Sequence, residues 1–248
     1  AEALKLLDVA AFDARSVGLR LRCLRATGQS EVAKQELLSF LKHAAEGGSP
    51  DAVLNLAVGF EQEMDSLIDQ GRLSAAKEVA QDAVPLLVQL LQQVKETRDG
   101  KLNATVIETS LARALGIAGE IEQSRERFDR LIAESPTNGA IILAAARTEE
   151  RVSVAWTGEK RDEAAERAES LWARLLQDAG LRDRSPDHYW EARSCWFAHL
   201  LRHGRAEDVI KGIESEQAWH PELGGPPWKN KLLDLSAQAR KMINDRKP

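Results

Sequence analysis

The stretch from Leu111 to Pro136 reads LARALGIAGEIEQSRERFDRLIAESP, and its punctuation decides the fold. Leu111, Leu115 and Ala118 recur at spacings of four and three before Gly119, and Ser124, Phe128 and Leu131 do the same after it. Residues so spaced share one side of an α-helix, whereas a half-buried strand would need strict alternation. A glycine between two such runs accepts the left-handed backbone that ends one helix and lets the next fold back on it. The stretch therefore predicts a tight helical hairpin.

The same punctuation recurs along the chain. Ala26-Thr27-Gly28-Gln29-Ser30, Asp69-Gln70-Gly71-Arg72-Leu73, Trp156-Thr157-Gly158-Glu159-Lys160 and Arg202-His203-Gly204-Arg205-Ala206 each lie between two helical runs. With Gly119 they make five turns, at intervals of 43, 48, 39 and 46 residues. Helix pairs repeating at this length imply a stacked solenoid of about five antiparallel pairs. Connectors such as Ser135-Pro136-Thr137-Asn138-Gly139 and Arg184-Ser185-Pro186-Asp187 supply N-caps and first-turn prolines. Pro85 is expected to kink or divide the helix that contains it, because it removes a backbone donor. After the stiff loop Pro221–Pro227, residues Trp228–Asn244 read as a capping helix, apolar at Leu232, Leu235, Ala239 and Met242 and polar elsewhere.

Composition agrees with an all-α chain treated as one repeat domain over residues 1–248. Helix-favouring Ala, Leu, Glu, Gln, Arg and Lys dominate, while Tyr occurs once and Phe five times. The 43% apolar and 29% charged content is that of a soluble globular chain. A net charge of −5 gives no general attraction to nucleic acid. No apolar run reaches the roughly 20 residues that insertion across a membrane needs. Cys23 and Cys195 alone make no disulfide framework. The start, Ala1-Glu2-Ala3-Leu4-Lys5, has neither an initiator Met nor a signal pattern, which suggests a piece of a longer chain. Residues 1–11, apolar at Leu4, Leu7 and Ala11, fit the tail of a preceding helix. Compartment stays open, with a lean toward the cytoplasm.

These residues resemble the tetratricopeptide family, whose repeat pairs helix A with helix B, small residues marking the crossing. The third hairpin fits best, with Ser124, Phe128, Leu131 and Pro136 following Gly119. The first offers Ala33, Leu37 and Phe40, the second Ala76, Ala80 and Ala83, and the fifth Val209 and Ile213. The fourth needs a slip of one residue to align Ala164, Ala168 and Leu171. The resemblance spans roughly residues 14–218. It implies a right-handed α-solenoid whose A helices line a concave groove for a peptide. The family's Lys and Asn clamp for a chaperone terminus is not matched, since Gly18, Arg22, Glu61, Asp65, Thr109 and Arg113 stand at those positions.

The groove reading singles out Arg15, Arg22 and Arg25 on the first A helix, an acidic stripe of Glu61, Asp65 and Asp69 on the second, and Arg113 on the third. The same residues also suit a ladder of ion pairs between repeats, basic then acidic then basic. All six tryptophans lie at or after Trp156. Most should pack between helices, with Trp156 or Trp190 the expected peptide anchor if exposed. Cys195, His199 and His203 stand at i, i+4 and i+8, and His188 precedes them, but no further ligand completes a metal site. Glu149-Glu150 reads as plain charge on a helix face. Nucleophile, phosphate-loop and metalloprotease motifs are absent from the sequence, so no enzyme, cofactor or metal is expected. The expected function is a non-catalytic scaffold that holds a protein or peptide segment. The alternative is a structural spacer or dimerising segment of a larger protein.

Overall fold

The computed structural model describes residues 14–45, 50–95, 100–178 and 180–245, and among them every regular element is helical. The apolar run at 1–11 lies outside the described residues. The helices are α1 (Ala14–Ala26), α2 (Ser30–Ala45), α3 (Pro50–Asp69), α4 (Leu73–Lys95), α5 (Gly100–Ala118), α6 (Ile121–Glu134), α7 (Gly139–Ala155), α8 (Glu159–Leu176), the single turn α9 (Leu181–Arg184), α10 (Pro186–Arg202), α11 (Ala206–Trp219) and α12 (Trp228–Asn244). The last has the bounds expected from the sequence. The chain divides into two compact units, Ala1–Glu134 and Ser135–Pro248.

Four of the five turns close by one hydrogen-bond pattern. The glycines have φ of 76° at Gly28, 71° at Gly71, 106° at Gly119 and 75° at Gly204. The residue after each donates its N–H five residues back, always to a leucine carbonyl: Gln29 to Leu24 (2.8 Å), Arg72 to Leu67 (2.8 Å), Glu120 to Leu115 (2.9 Å) and Arg205 to Leu200 (2.9 Å). This is the Schellman closure, which satisfies carbonyls that a helix end leaves orphaned. The same residue's carbonyl then accepts the first bond of the next helix, from Ala33, Ala76, Ser124 and Val209. One helix's last bond and the next one's first thus meet on one residue, which fixes the hairpin's angle.

The fourth turn differs. Trp156 leaves α7 in extended conformation, and Gly158 (φ 65°, ψ −148°) is the N-cap of α8. Helix α8 therefore starts one residue after its glycine, where the other second helices start two after theirs. Ala164 is its sixth residue, where Ala33, Ala76, Ser124 and Val209 are the fourth of theirs, so the fourth hairpin departs from the register that the other four share.

Small residues sit where the helices cross. Ala33, Ala76, Ala164, Ala168 and Val209 are wholly buried, and the Ser124 hydroxyl donates to the Ala112 carbonyl at 2.6 Å. In the first unit α3 packs on α1, α4 and α5, and α4 on α5. In the second, α10 packs on α7, α8, α11 and α12. Within each unit, first helices of successive hairpins thus touch each other, and a second helix touches the next first one. Asn138 caps α7, its side chain accepting from the Ala140 N–H at 3.1 Å. Ser185 makes no such bond, leaving Pro186 to start α10.

Helix α4 is not divided at Pro85. The proline denies a donor to the Gln81 carbonyl, but Pro85 and Gln81 are both exposed, so water can take that bond.

Two glycines separate conformational cost from crowding. At Gly71 an added Cβ would meet nothing, so Gly71→Ala should cost only the left-handed backbone, about 1–2 kcal/mol. At Gly224 (φ 82°) the Cβ would lie 2.4 Å from the Trp190 ring, and Gly224→Ala should lose about 1–3 kcal/mol more. Urea unfolding of the two variants, read against the parent, checks the difference.

Candidate functional site

The charged residues picked out on the first three A helices are drawn together by the packing of α1, α3 and α5. Arg113 of α5 donates to Glu61 (2.8 Å) and to Asp65 (3.1 Å), both on α3. Arg25 of α1 donates to Glu63 of α3 at 2.9 Å, lies 3.5 Å from Asp82 of α4, and rests 5.2 Å from the Phe60 ring centroid. Burial pushes the Asp82 carboxyl up even though Arg25 opposes the shift. The acids of α3 therefore serve arginines on both sides, Glu61 and Asp65 on Arg113 and, outside the expected stripe, Glu63 on Arg25. Glu63 and Asp82 were not singled out in the sequence, although Glu63 stands between Glu61 and Asp65.

Arg22 is different. It sits six residues before its turn glycine, as do Asp65 and Arg113 before theirs. Among the described residues its hydrogen bond is a long one, 3.5 Å to the Gly59 carbonyl. It borders a cleft of about 300 Å³ between α1, α3 and α4, which Gln62, Ser66 and Gln70 also line. Arg15 belongs to α1, but its side chain lies outside the described ones. Val58 and Val106, each thirteen residues before a turn glycine, are 40% and 43% exposed beside the ladder.

The tryptophans belong to the second unit. Trp190 is 5% exposed, with Tyr189 edge-on at 5.1 Å and His220 at 5.9 Å. The expectation of an accessible anchor at Trp190 is therefore corrected: the close approach of Gly224 seals its ring. Trp156 is half-buried under the Lys160 ammonium, 5.5 Å from the ring centroid. Trp219, which the sequence did not distinguish, is 80% exposed at the end of α11.

Glu149 and Glu150 are not plain surface charge. Both are buried, Glu149 paired with Arg167 of α8 at 3.0 Å and Glu150 with Arg202 of α10. The two acids tie α7 to two neighbours at once. A carboxylate needs such a partner before it can leave water.

Among the described residues no three His, Cys, Asp or Glu side chains converge as a metal site would require. His199 is instead a core residue, stacked on Trp196 at 6.1 Å and 4.5 Å from the His203 ring. Burial, then the neighbouring His203, lowers its pKa to about 4. The Cys195 thiol is pushed up, also by burial.

Among the described residues no helix is long and apolar enough to cross a membrane. The class that fold and site define is an all-α chain of helical hairpins with an inter-helix charge ladder. No protein-family model matches the chain, and no curated protein does.

Two outcomes follow from this chemistry. Arg113→Met would leave Glu61 and Asp65 facing each other, and should cost about 1–2 kcal/mol, less at high salt. Salt-dependent urea unfolding measures it. For His199, the unfolded chain takes up its proton near pH 6.5 and the folded chain only near pH 4. Between those values the unfolded state binds more protons, so stability is lost as the pH drops from 6.5 toward 4, by up to about 3 kcal/mol. Unfolding midpoints across that range should fall less in His199→Phe than in the parent.

Proposed function

We propose that the chain is a tetratricopeptide-like α-solenoid segment that holds a partner peptide along the face made by α1, α3 and α5. The shared spacing of that face carries the reading. Val58 and Val106 occupy the same place relative to their turns, and Arg22, Asp65 and Arg113 share another seven residues on. Seven residues return to nearly the same side of a helix. Helices α3 and α5 thus offer an exposed valine followed by a charge, and α1 adds Arg22 beside the cleft. An amphipathic or extended segment finds apolar contact and polar orientation there. On this reading the hairpins within each unit stack as the family's repeats do, and both that stacking and the family's right-handed curvature are part of the proposal. The role is binding without catalysis, and the ligand is a protein or peptide.

A second reading is a structural spacer or dimerising segment. The internal satisfaction of Arg25, Glu61, Asp65 and Arg113 favours it, because a spent charge adds little to recognition. Under the binding reading these four hold the face in register, and Val58, Val106 and Arg22 meet the partner.

Random-peptide display on the immobilised chain tests the proposal. It should enrich a sequence class, and Val58→Asp with Val106→Asp should reduce capture by about tenfold or more with an unchanged melting point. Equal capture by the double variant, or no enrichment over bare support, would contradict the binding reading.

A further inference from the structure

In the first unit, the charges that packing draws under neighbouring helices meet opposite ones. Arg25 is taken up by Glu63 and Asp82, Arg113 by Glu61 and Asp65, and Glu108 by Arg127 and Arg130. Around the cleft between α1, α3 and α4 the matching stops. Arg22, Arg72 and Glu78 all line it and all are exposed. Among the described residues Arg22 has only its long bond to the Gly59 carbonyl, 3.5 Å. The Arg72 guanidinium has no hydrogen bond or ion pair there, and neither has the Glu78 carboxylate, whose field reaches Lys34 without pairing with it.

The rest of the lining adds no net charge. Arg25 and Glu63, which also border the cleft, neutralise each other at 2.9 Å. Leu67 and Val79 are buried beneath it, and Ser66 and Gln70 are bonded to each other at 3.0 Å. What the cleft leaves unmatched is therefore two guanidinium groups and one carboxylate. Arg22 reaches it from α1, while Arg72 and Glu78 reach it from the turn before α4 and from that helix's second turn. Its volume of about 300 Å³ lies at the lower end of ligand pockets, the size for one small molecule and not for a length of peptide.

We propose that this cleft binds a small zwitterion bearing two carboxylates and one ammonium, the chemistry of a free acidic amino acid. The site shares Arg22 with the peptide face proposed above, but stands whether or not a peptide binds there. Arg22 and Arg72 each take one carboxylate through charge-assisted hydrogen bonds, and Glu78 takes the ammonium. The methylene groups of the ligand lie over Leu67 and Val79. An inorganic anion offers nothing to Glu78 and is repelled by it, and a neutral amino acid leaves one arginine unmatched.

Calorimetric titration of the full chain with L-glutamate and with L-aspartate tests the assignment. At least one should bind with a Kd of about a millimolar or below. For whichever binds, the analogue without the ammonium (glutarate or succinate) and the one with an amide for a carboxylate (L-glutamine or L-asparagine) should bind about tenfold more weakly. Arg22→Gln and Arg72→Gln should each weaken the amino acid by about tenfold. Glu78→Gln should weaken it too, but leave the dicarboxylate bound at least as well as before, so that the preference between them disappears. All three positions are exposed, and an unchanged melting point shows that each variant is folded. No heat from either amino acid at about 10 mM, equal binding of the dicarboxylate, or a preference that survives Glu78→Gln would each overturn the proposal. Inorganic phosphate displacing the amino acid at equal concentration would mark a general anion site and overturn it equally.

Discussion

A single left-handed residue, followed by an N–H that reaches back five residues to a leucine carbonyl, sets the rest of the structure. At Gly28, Gly71, Gly119 and Gly204 it ends one helix and, through the next residue's carbonyl, begins another. Nothing in that arrangement is long-range, so each hairpin is specified by a handful of neighbouring residues. What the turn then demands is closeness. Two helices leaving so short a link cross within a few residues, and only small or hydrogen-bonded side chains fit there. Ala33, Ala76, Ser124 and Val209 answer that demand at one register.

Charge does its work at the next level. The carboxylates of α3 meet Arg25 on one side and Arg113 on the other, and Glu149 and Glu150 do the same for α7 between α8 and α10. In each case one central helix carries the acids and its neighbours bring the arginines. Partly buried pairs of this kind contribute modestly to stability but strongly oppose a wrong register, because a slipped helix would strand a charge out of water.

The turns, the crossing residues and the capping helix were legible in the sequence because each is set by local backbone geometry and helical spacing. The unbroken α4 was not, since tolerance of Pro85 depends on its facing water. The burial of Glu149-Glu150 was hidden for a related reason: it rests on Arg167 and Arg202, far along the chain, and periodicity records spacing without recording partners. Trp190 and Trp219 illustrate the same limit, as one is sealed by the approach of Gly224 and the other stands open at a helix end. Of the site residues, the sequence found Arg25, Glu61, Asp65 and Arg113 but neither Glu63 and Asp82, which hold Arg25, nor which arginine would be left largely unspent.

Native-state hydrogen exchange at the residue after each turn glycine tests the hairpin closure most directly. Gln29, Arg72, Glu120 and Arg205 should exchange slowly, together with their hairpins, because their amides are held by Leu24, Leu67, Leu115 and Leu200. Glu159, which opens α8 as a first-turn amide, should exchange fast. Fast exchange at the four, or equal protection at all five, would contradict the account.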